Sequence, residues 1–321
     1  MNFNIDEKFL SAETRLGYPI PKYLKHIWAS ALRIYEEVEK VCVHHGLRFF
    51  ADSGTLLGAV REKGMIPWDD DLDVAMTRHD FDELVKYKRE LPQDFHIYGK
   101  YQRPHIEFRG FYRIMNAEGF IITEEFLQRN FECPFPMGID ISILDNMPKD
   151  PELFSTIKDL LTFIVYKVDT LDHDPDDASA IEEAKALFEM THYKPEGIEK
   201  DNIVFALAGL FETLCRSVPD NASDEYILWA NTISHGLKRH WKKSLFKKTE
   251  RVPFENGTVL IPEDYDEILS DYYGDYQKRP DEGHRIPPHS VFNDYIETLR
   301  EYCATKGDYS VMKRCHLEDY I

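Results

Sequence analysis

A chain of 321 residues with an apolar fraction of 43% can fill the core of one large domain or two modest ones. Its formal charge of −19 is the opposite of a basic nucleic-acid footprint, which excludes that class of partner. A phosphorylated substrate stays open, because a bound metal can recruit it locally.

The start, MNFNIDEKFL, has neither the basic nor the apolar stretch of a secretory signal. Lys22 to His45 places Leu24, Ile27, Trp28, Ala31, Ile34 and Tyr35 at helical spacing, between Pro21 and Gly46. Leu47 to Ala51 reads as a strand, broken by Ser53-Gly54, and Thr55 to Lys63 as a short helix closed by Gly64. Asp71 to Met76 alternates as a strand does, and a helix follows from Thr77 towards Leu91. Further strands are expected at Phe95–Tyr98, Phe111–Met115, Phe120–Thr123 and Ile139–Leu144. Residues 1–150 therefore read as a mixed α/β domain.

Pro148 to Pro151 marks a boundary. Helices are expected at Leu153–Thr170, Ala180–Met190, Ile198–Ser217 and Asp224–Gly236, making 151–250 a mostly helical region. Residues 251–321, with a strand at Thr258–Ile261, a helix from Pro262 to Tyr273 and another at Val291–Ala304, are expected to pack back on the core. The fold class is α+β: a mixed sheet with flanking helices and an additional helical region. The most apolar long run, Ile203 to Cys215, is shorter than the ~20 residues that span a bilayer. Five scattered cysteines with no CxxC fit a reducing compartment. These features imply a cytoplasmic protein with at most peripheral membrane contact. Cys303, Cys315 and His316 have poor spacing for zinc and are expected to be ordinary packing.

The chemistry concentrates between Asp52 and Met76. Four aspartates, Asp69, Asp70, Asp71 and Asp73, fall within five positions, and like charges so crowded call for a cation among them. Mg²⁺ or Mn²⁺ is the economical choice, held by carboxylates and substrate phosphates. On a strand Asp71 and Asp73 share one face, with Leu72 and Val74 turned to the core. Asp140, between Ile139 and Ile141, is costly to bury without a partner, and is the expected third acid. Asp69 and Asp70 precede the strand and would shape the turn or orient a metal-bound water. Ser53-Gly54-Thr55 supplies a tight turn at a helix start, where free amides favour an anion. Arg61 and Lys63, at the end of that helix, are candidate phosphate contacts.

DSGTLLGAVREKGMIPWDDDLDVAM (residues 52–76) resembles the signature of the LicD family, within the nucleotidyltransferase superfamily and related to fukutin-type transferases. IDISILDN (139–146) and the stretch from Phe254 to Tyr276, ending YYGDY, are similar to the family's later blocks. The resemblance implies a nucleotidyltransferase-like core and transfer of a phosphorylated alcohol, typically phosphocholine from CDP-choline. The acceptor would be a hydroxyl of a cell-surface glycan such as lipopolysaccharide or teichoic acid, or a lipid-linked precursor, and CMP would be released. It makes Asp71 and Asp73 the metal-binding pair, Asp140 the third acid, and Gly54 and Thr55 the donor-phosphate turn; from the charges themselves, Asp140 is expected to be a metal ligand and a proton acceptor. Ser53 stands where many relatives carry Gly, and Glu62 where a His or another residue is common. Two other readings fit the Asp-x-Asp: a glycosyltransferase using a nucleotide-sugar, and a catalytically silent nucleotide-binding module.

Two further segments stand out. Lys238 to Arg251 is a basic island, expected to be a solvated helix face or a dock for an anionic acceptor. Tyr272 to Tyr276, with Arg285 and His289 beyond, is expected to fold over the site or to serve packing.

Overall fold

A computed structural model of the chain describes residues 2–99, 112–200, 202–236, 238–286 and 291–321. A small hairpin, β1 (Glu13–Arg15) and β2 (Tyr18–Ile20), turns through Leu16 and Gly17, both at positive φ. Sequence reading missed it because Leu-Gly is not a usual hairpin signal. α1 (Lys22–His44) then begins after Pro21 and ends before Gly46, as its caps predict. Trp28, Leu32, Ile34, Tyr35 and Val38 on this helix are wholly buried. Each such side chain contributes about 1.5–3 kcal/mol of burial.

The main sheet grows from the next elements: β3 (Phe50–Ala51), α2 (Ser53–Leu57), β4 (Asp73–Thr77), α3 (Arg78–Lys86), β5 (His96–Tyr98), β6 (Tyr112–Met115), α4 (Glu124–Arg129) and β7 (Gly138–Asn146). Strand order is β3-β4-β7-β6-β5, with β4 and β7 parallel and the other pairs antiparallel. A mixed α/β architecture is thus present. α2 runs on as a π-helical turn, Gly58–Glu62, and stops at Lys63 in the left-handed conformation. β4 begins two residues later than expected, since Asp71 precedes the ladder. Leu72 and Val74 are nevertheless fully buried, as the alternation requires. Phe120–Thr123 is loop rather than strand, and Phe111 lies outside the described residues.

α5 (Pro151–His173), α6 (Ala178–Thr191) and α7 (Ile203–Cys215) follow. They bury Ile157, Leu161, Val168, Ala184, Leu207 and Phe211 in a second apolar cluster, apart from the one under the sheet. The helix expected over Asp224–Gly236 is instead β8 (Glu225–Ile227) followed by α8 (Trp229–His235). β8 pairs with the far end of β7 and with β9 (His240–Lys242), and these ladder bonds outweigh the helical spacing. Among the described residues no helix is long and apolar enough to cross a membrane.

Arg78 ties the two clusters together. Its buried guanidinium meets Asp145 of β7 at 2.8 Å and Glu212 of α7 at 2.6 Å. Burial opposes that charge, but the two carboxylates win and hold Arg78 protonated more firmly than usual.

The last elements are β10 (Thr249–Phe254), β11 (Gly257–Pro262), α9 (Tyr265–Tyr273), α10 (Val291–Lys306) and α11 (Ser310–Arg314). Phe254, Val259, Ile261, Leu269, Leu299 and Met312 join the apolar cluster under the sheet. The Leu260 N–H donates to the Tyr35 hydroxyl at 3.0 Å, fixing this hairpin to α1. The basic island is therefore not a helix face. It runs through β9, a 3₁₀ turn at Lys243–Phe246 and β10, and acids meet its charges: Asp271 on Arg239 at 2.9 Å, Asp220 on Lys243 at 2.7 Å, and Glu39 on Arg251 at 3.2 Å.

Candidate active site

The site forms where β3 hands over to α2 beside the start of β4. The Asp52 N–H donates to the Asp73 carbonyl at 3.0 Å, and the Asp73 N–H donates to Thr55 Oγ1 at 2.8 Å. Ser53, at a positive φ of 45°, turns the chain sharply between them. Gly54 follows with no room for a side chain: a Cβ there would stand 2.7 Å from Asp69 Oδ2. The acidic loop is pinned from below, because Trp28 Nε1–H donates to the Asp69 carbonyl at 2.9 Å. The Ser-Gly-Thr turn and the aspartate run are thus locked together by the Thr55 hydroxyl, which accepts from the Asp73 N–H, and by the Asp52 N–H just before the turn.

Asp71, Asp73 and Asp140 converge. One carboxylate oxygen from each lies within 4.8 Å of the others, and Asp69, Asp70 and Asp71 form a second, overlapping trio. The register explains the first meeting, since Asp73 stands directly opposite Asp140 across the parallel β4–β7 pair. Burial, then Asp71, Asp140, Asp69 and Asp52, push the Asp73 carboxyl well above the usual range. Burial and Asp71 do the same to Asp69. Such a cluster resists full ionisation on its own and gains from a cation. An all-oxygen set of carboxylates is the donor chemistry that hard ions such as Mg²⁺ and Mn²⁺ take. The residues present therefore fit a divalent ion.

Two participants escaped the sequence reading, and a third belongs to the aromatic segment expected either to fold over the site or to serve packing. Asp52 is buried behind Asp73; burial raises its carboxyl, and the Tyr272 hydroxyl donates to it at 3.2 Å. Its position directly after the apolar run Phe49–Ala51 was the available signal. Arg113 of β6 grips Asp140 with both Nε and Nη2, the latter at 2.7 Å. Tyr273 faces the acids, and burial together with Asp73, Asp52 and Asp69 raises its phenol. The aromatic segment thus does come back over the site: α9 sets Tyr272 on Asp52 and Tyr273 before Asp73. Arg285 lies 5.6 Å over the Trp68 ring, and His289 lies outside the described residues.

A cleft of about 660 Å³ opens beside the acids, lined by Gly54, Arg61, Trp68, Asp69, Tyr273 and Tyr276 among others. That volume suits a nucleotide-sized ligand. Arg61 lines it but is engaged. Its Nε meets Glu62 at 2.7 Å and its Nη1 donates to the Tyr276 carbonyl at 3.0 Å. Burial works against the charge on Glu62, but Arg279 and Arg61 hold its carboxyl below the usual range. Lys63 is exposed where the helix ends and does not line the cleft. Cys303 and Cys315 are buried core residues, as expected.

Comparison with known proteins agrees with the resemblance. Residues 46–135 match the LicD/FKTN/FKRP nucleotidyltransferase domain, a span that holds the turn, Asp71, Asp73 and Arg113. Over 278 residues the chain is 25% identical to the lipopolysaccharide cholinephosphotransferase LicD of Haemophilus influenzae, covering 83% of this chain and 95% of that protein. Shorter matches of 64 residues reach uncharacterized proteins of Rickettsia typhi (34% identical, 20% of each chain) and Rickettsia prowazekii (37% identical, 20% of this chain and 23% of that one). The chain is a homologue of a named phosphotransferase.

Proposed function

We propose that the chain is a metal-dependent transferase that moves phosphocholine from CDP-choline to a hydroxyl of a cell-surface glycan or its precursor and releases CMP. The observation that carries this reading is the meeting of Asp71, Asp73 and Asp140 beside the Gly54–Thr55 turn. The Haemophilus relative, named for cholinephosphate transfer on lipopolysaccharide, supports the choice of alcohol and acceptor. We assign residues 1–150 as a nucleotidyltransferase-like catalytic core, 151–250 as a helical region and 251–321 as the segment that closes over the site. A cytoplasmic location with peripheral membrane contact suits a nucleotide donor.

In the reaction the acceptor oxygen bonds to the phosphorus that carries choline. The bond from that phosphorus to the bridging oxygen breaks, CMP leaves with the electron pair, and the hydroxyl proton passes to a base. Mg²⁺ or Mn²⁺ held by Asp71, Asp73 and Asp140 would supply neutralisation of the pyrophosphate oxygens. The chain's own residues do the rest. Gly54 lets the Asp69 carboxylate lie close against the turn. The Thr55 hydroxyl fixes Asp73 by accepting from the Asp73 N–H. Arg61, held by Glu62 and the Tyr276 carbonyl, brings positive charge to the cleft wall. Both carboxylate oxygens of Asp140 are taken by Arg113, so Asp69, which lines the cleft, is the better-placed proton acceptor.

The test is incubation with CDP-choline, CDP-ethanolamine, CDP-ribitol and a set of nucleotide-sugars, with Mg²⁺ or with a chelator, reading released nucleotide. CMP should appear from a CDP-alcohol, only with metal. Turnover of a nucleotide-sugar alone would make the protein a glycosyltransferase. Donor binding with no turnover across many acceptors would make it a silent module.

A further inference from the structure

Arg113 lies outside the motifs, yet it takes the next place on the same face of the sheet. Asp73 is opposite Asp140 across β4 and β7, and Asp140 is opposite Arg113 across β7 and β6. Directly paired residues share a face, so carboxylate, carboxylate and guanidinium stand in a row across three strands. The guanidinium forks onto Asp140, Nη2 donating to Oδ2 at 2.7 Å and Nε to Oδ1. This two-pronged match is the strong form of such a pair. The backbone is shaped to allow it. A Cβ on Gly138, two residues before Asp140, would stand 3.0 Å from Arg113 Cγ and 2.9 Å from Met115 Cγ. A glycine there lets the arginine stem lie flat along β7. The chain's own cation thus occupies both oxygens of a carboxylate that also belongs to the acidic trio.

We propose that Arg113 is a positioning residue for the acidic centre: it holds Asp140 beside Asp73 before a divalent ion arrives, then competes with that ion for the carboxylate and keeps its binding weak enough to exchange. This rests on reading the trio as a divalent-ion site, though not on the identity of the donor. Two cations sharing one carboxylate each weaken the other's hold. Losing the guanidinium removes the competitor and adds one negative charge to the centre. Ion affinity therefore rises while the ion-free centre becomes less stable.

The experiment is calorimetric titration of Mn²⁺ into the ion-free full-length chain, with thermal melts alongside, for wild type, Arg113→Met, Arg113→Lys and Asp73→Asn. Wild type should bind Mn²⁺ and Asp73→Asn should lose it. Arg113→Met should bind about tenfold more tightly and melt lower without metal. Arg113→Lys, a point charge without the fork, should fall between the two. A purely structural role for Arg113 would lower the melting point and leave affinity unchanged or weaker. That result, with wild type binding and Asp73→Asn not, overturns the role of Arg113 and leaves the ion site standing. Absence of Mn²⁺ binding by wild type overturns the site, and the proposal with it. If the Met variant does not fold, Arg113→Lys decides: affinity no higher than wild type refutes the proposal.

Discussion

Replacing Asp73 with Asn should make the ion-free protein more stable while it removes activity. The side chain is recessed among Asp71, Asp140, Asp69 and Asp52, and its carboxyl is raised by burial and by those neighbours. At 4.8 Å, the outer limit of the separations in the trio, two unit charges repel by about 3.5 kcal/mol at an effective dielectric of 20. Solvent at the partly exposed Asp71, and the Arg113 charge on Asp140, reduce this to roughly 1–2 kcal/mol. For a chain of this size that corresponds to a rise of about 1.5–3 °C in melting temperature. The assay is a thermal melt in chelator, paired with nucleotide release under Mg²⁺, where Asp73→Asn should lose about 100-fold or more. Added Mn²⁺ should raise the melting temperature of wild type and leave the variant unmoved. A variant that melts lower than wild type in chelator, or that keeps its rate, would refute the reasoning, because the cluster would then be a cooperative structural network.

Gly54→Ala should cost about 100-fold in kcat/KM, since its Cβ would displace the Asp69 carboxylate, with little change in melting temperature. Arg78→Met should destabilise by about 3–5 kcal/mol in a denaturant melt, because it strands Asp145 as a buried charge and leaves Glu212 with Arg216 alone. The His26 and His316 rings meet at a tilt, 4.8 Å apart, and burial lowers both imidazoles below their ordinary 6.5. A lowered folded value means the fold prefers the neutral rings. Their contribution is therefore full above pH 6.5 and lost as pH falls through the lowered values, so the melting temperature should drop over that window and His316→Gln should flatten the drop.

The centre was legible because its spacing carries geometry. Asp71 and Asp73 two apart, with Leu72 and Val74 buried, needed only strand alternation, and Asp140 between two isoleucines needed only a partner. α1 was legible because Pro21 and Gly46 mark its ends. Arg113 was hidden because its role comes from register across β6 and β7, which no local pattern encodes. Asp52 and Tyr272 meet only once α9 returns over α2. The basic island misled for the same reason: Asp271, Asp220 and Glu39, its neutralising partners, lie far off in sequence. Asp224–Gly236 read as helix because Tyr226 and Ile227 fit helical spacing until ladder partners in β7 and β9 claim them.

The most direct measurement is anomalous diffraction from crystals of the full chain grown with Mn²⁺. The account predicts a peak at coordination distance from carboxylate oxygens of Asp71, Asp73 and Asp140. Mn²⁺ at another acidic cluster, with none between these three, would contradict it.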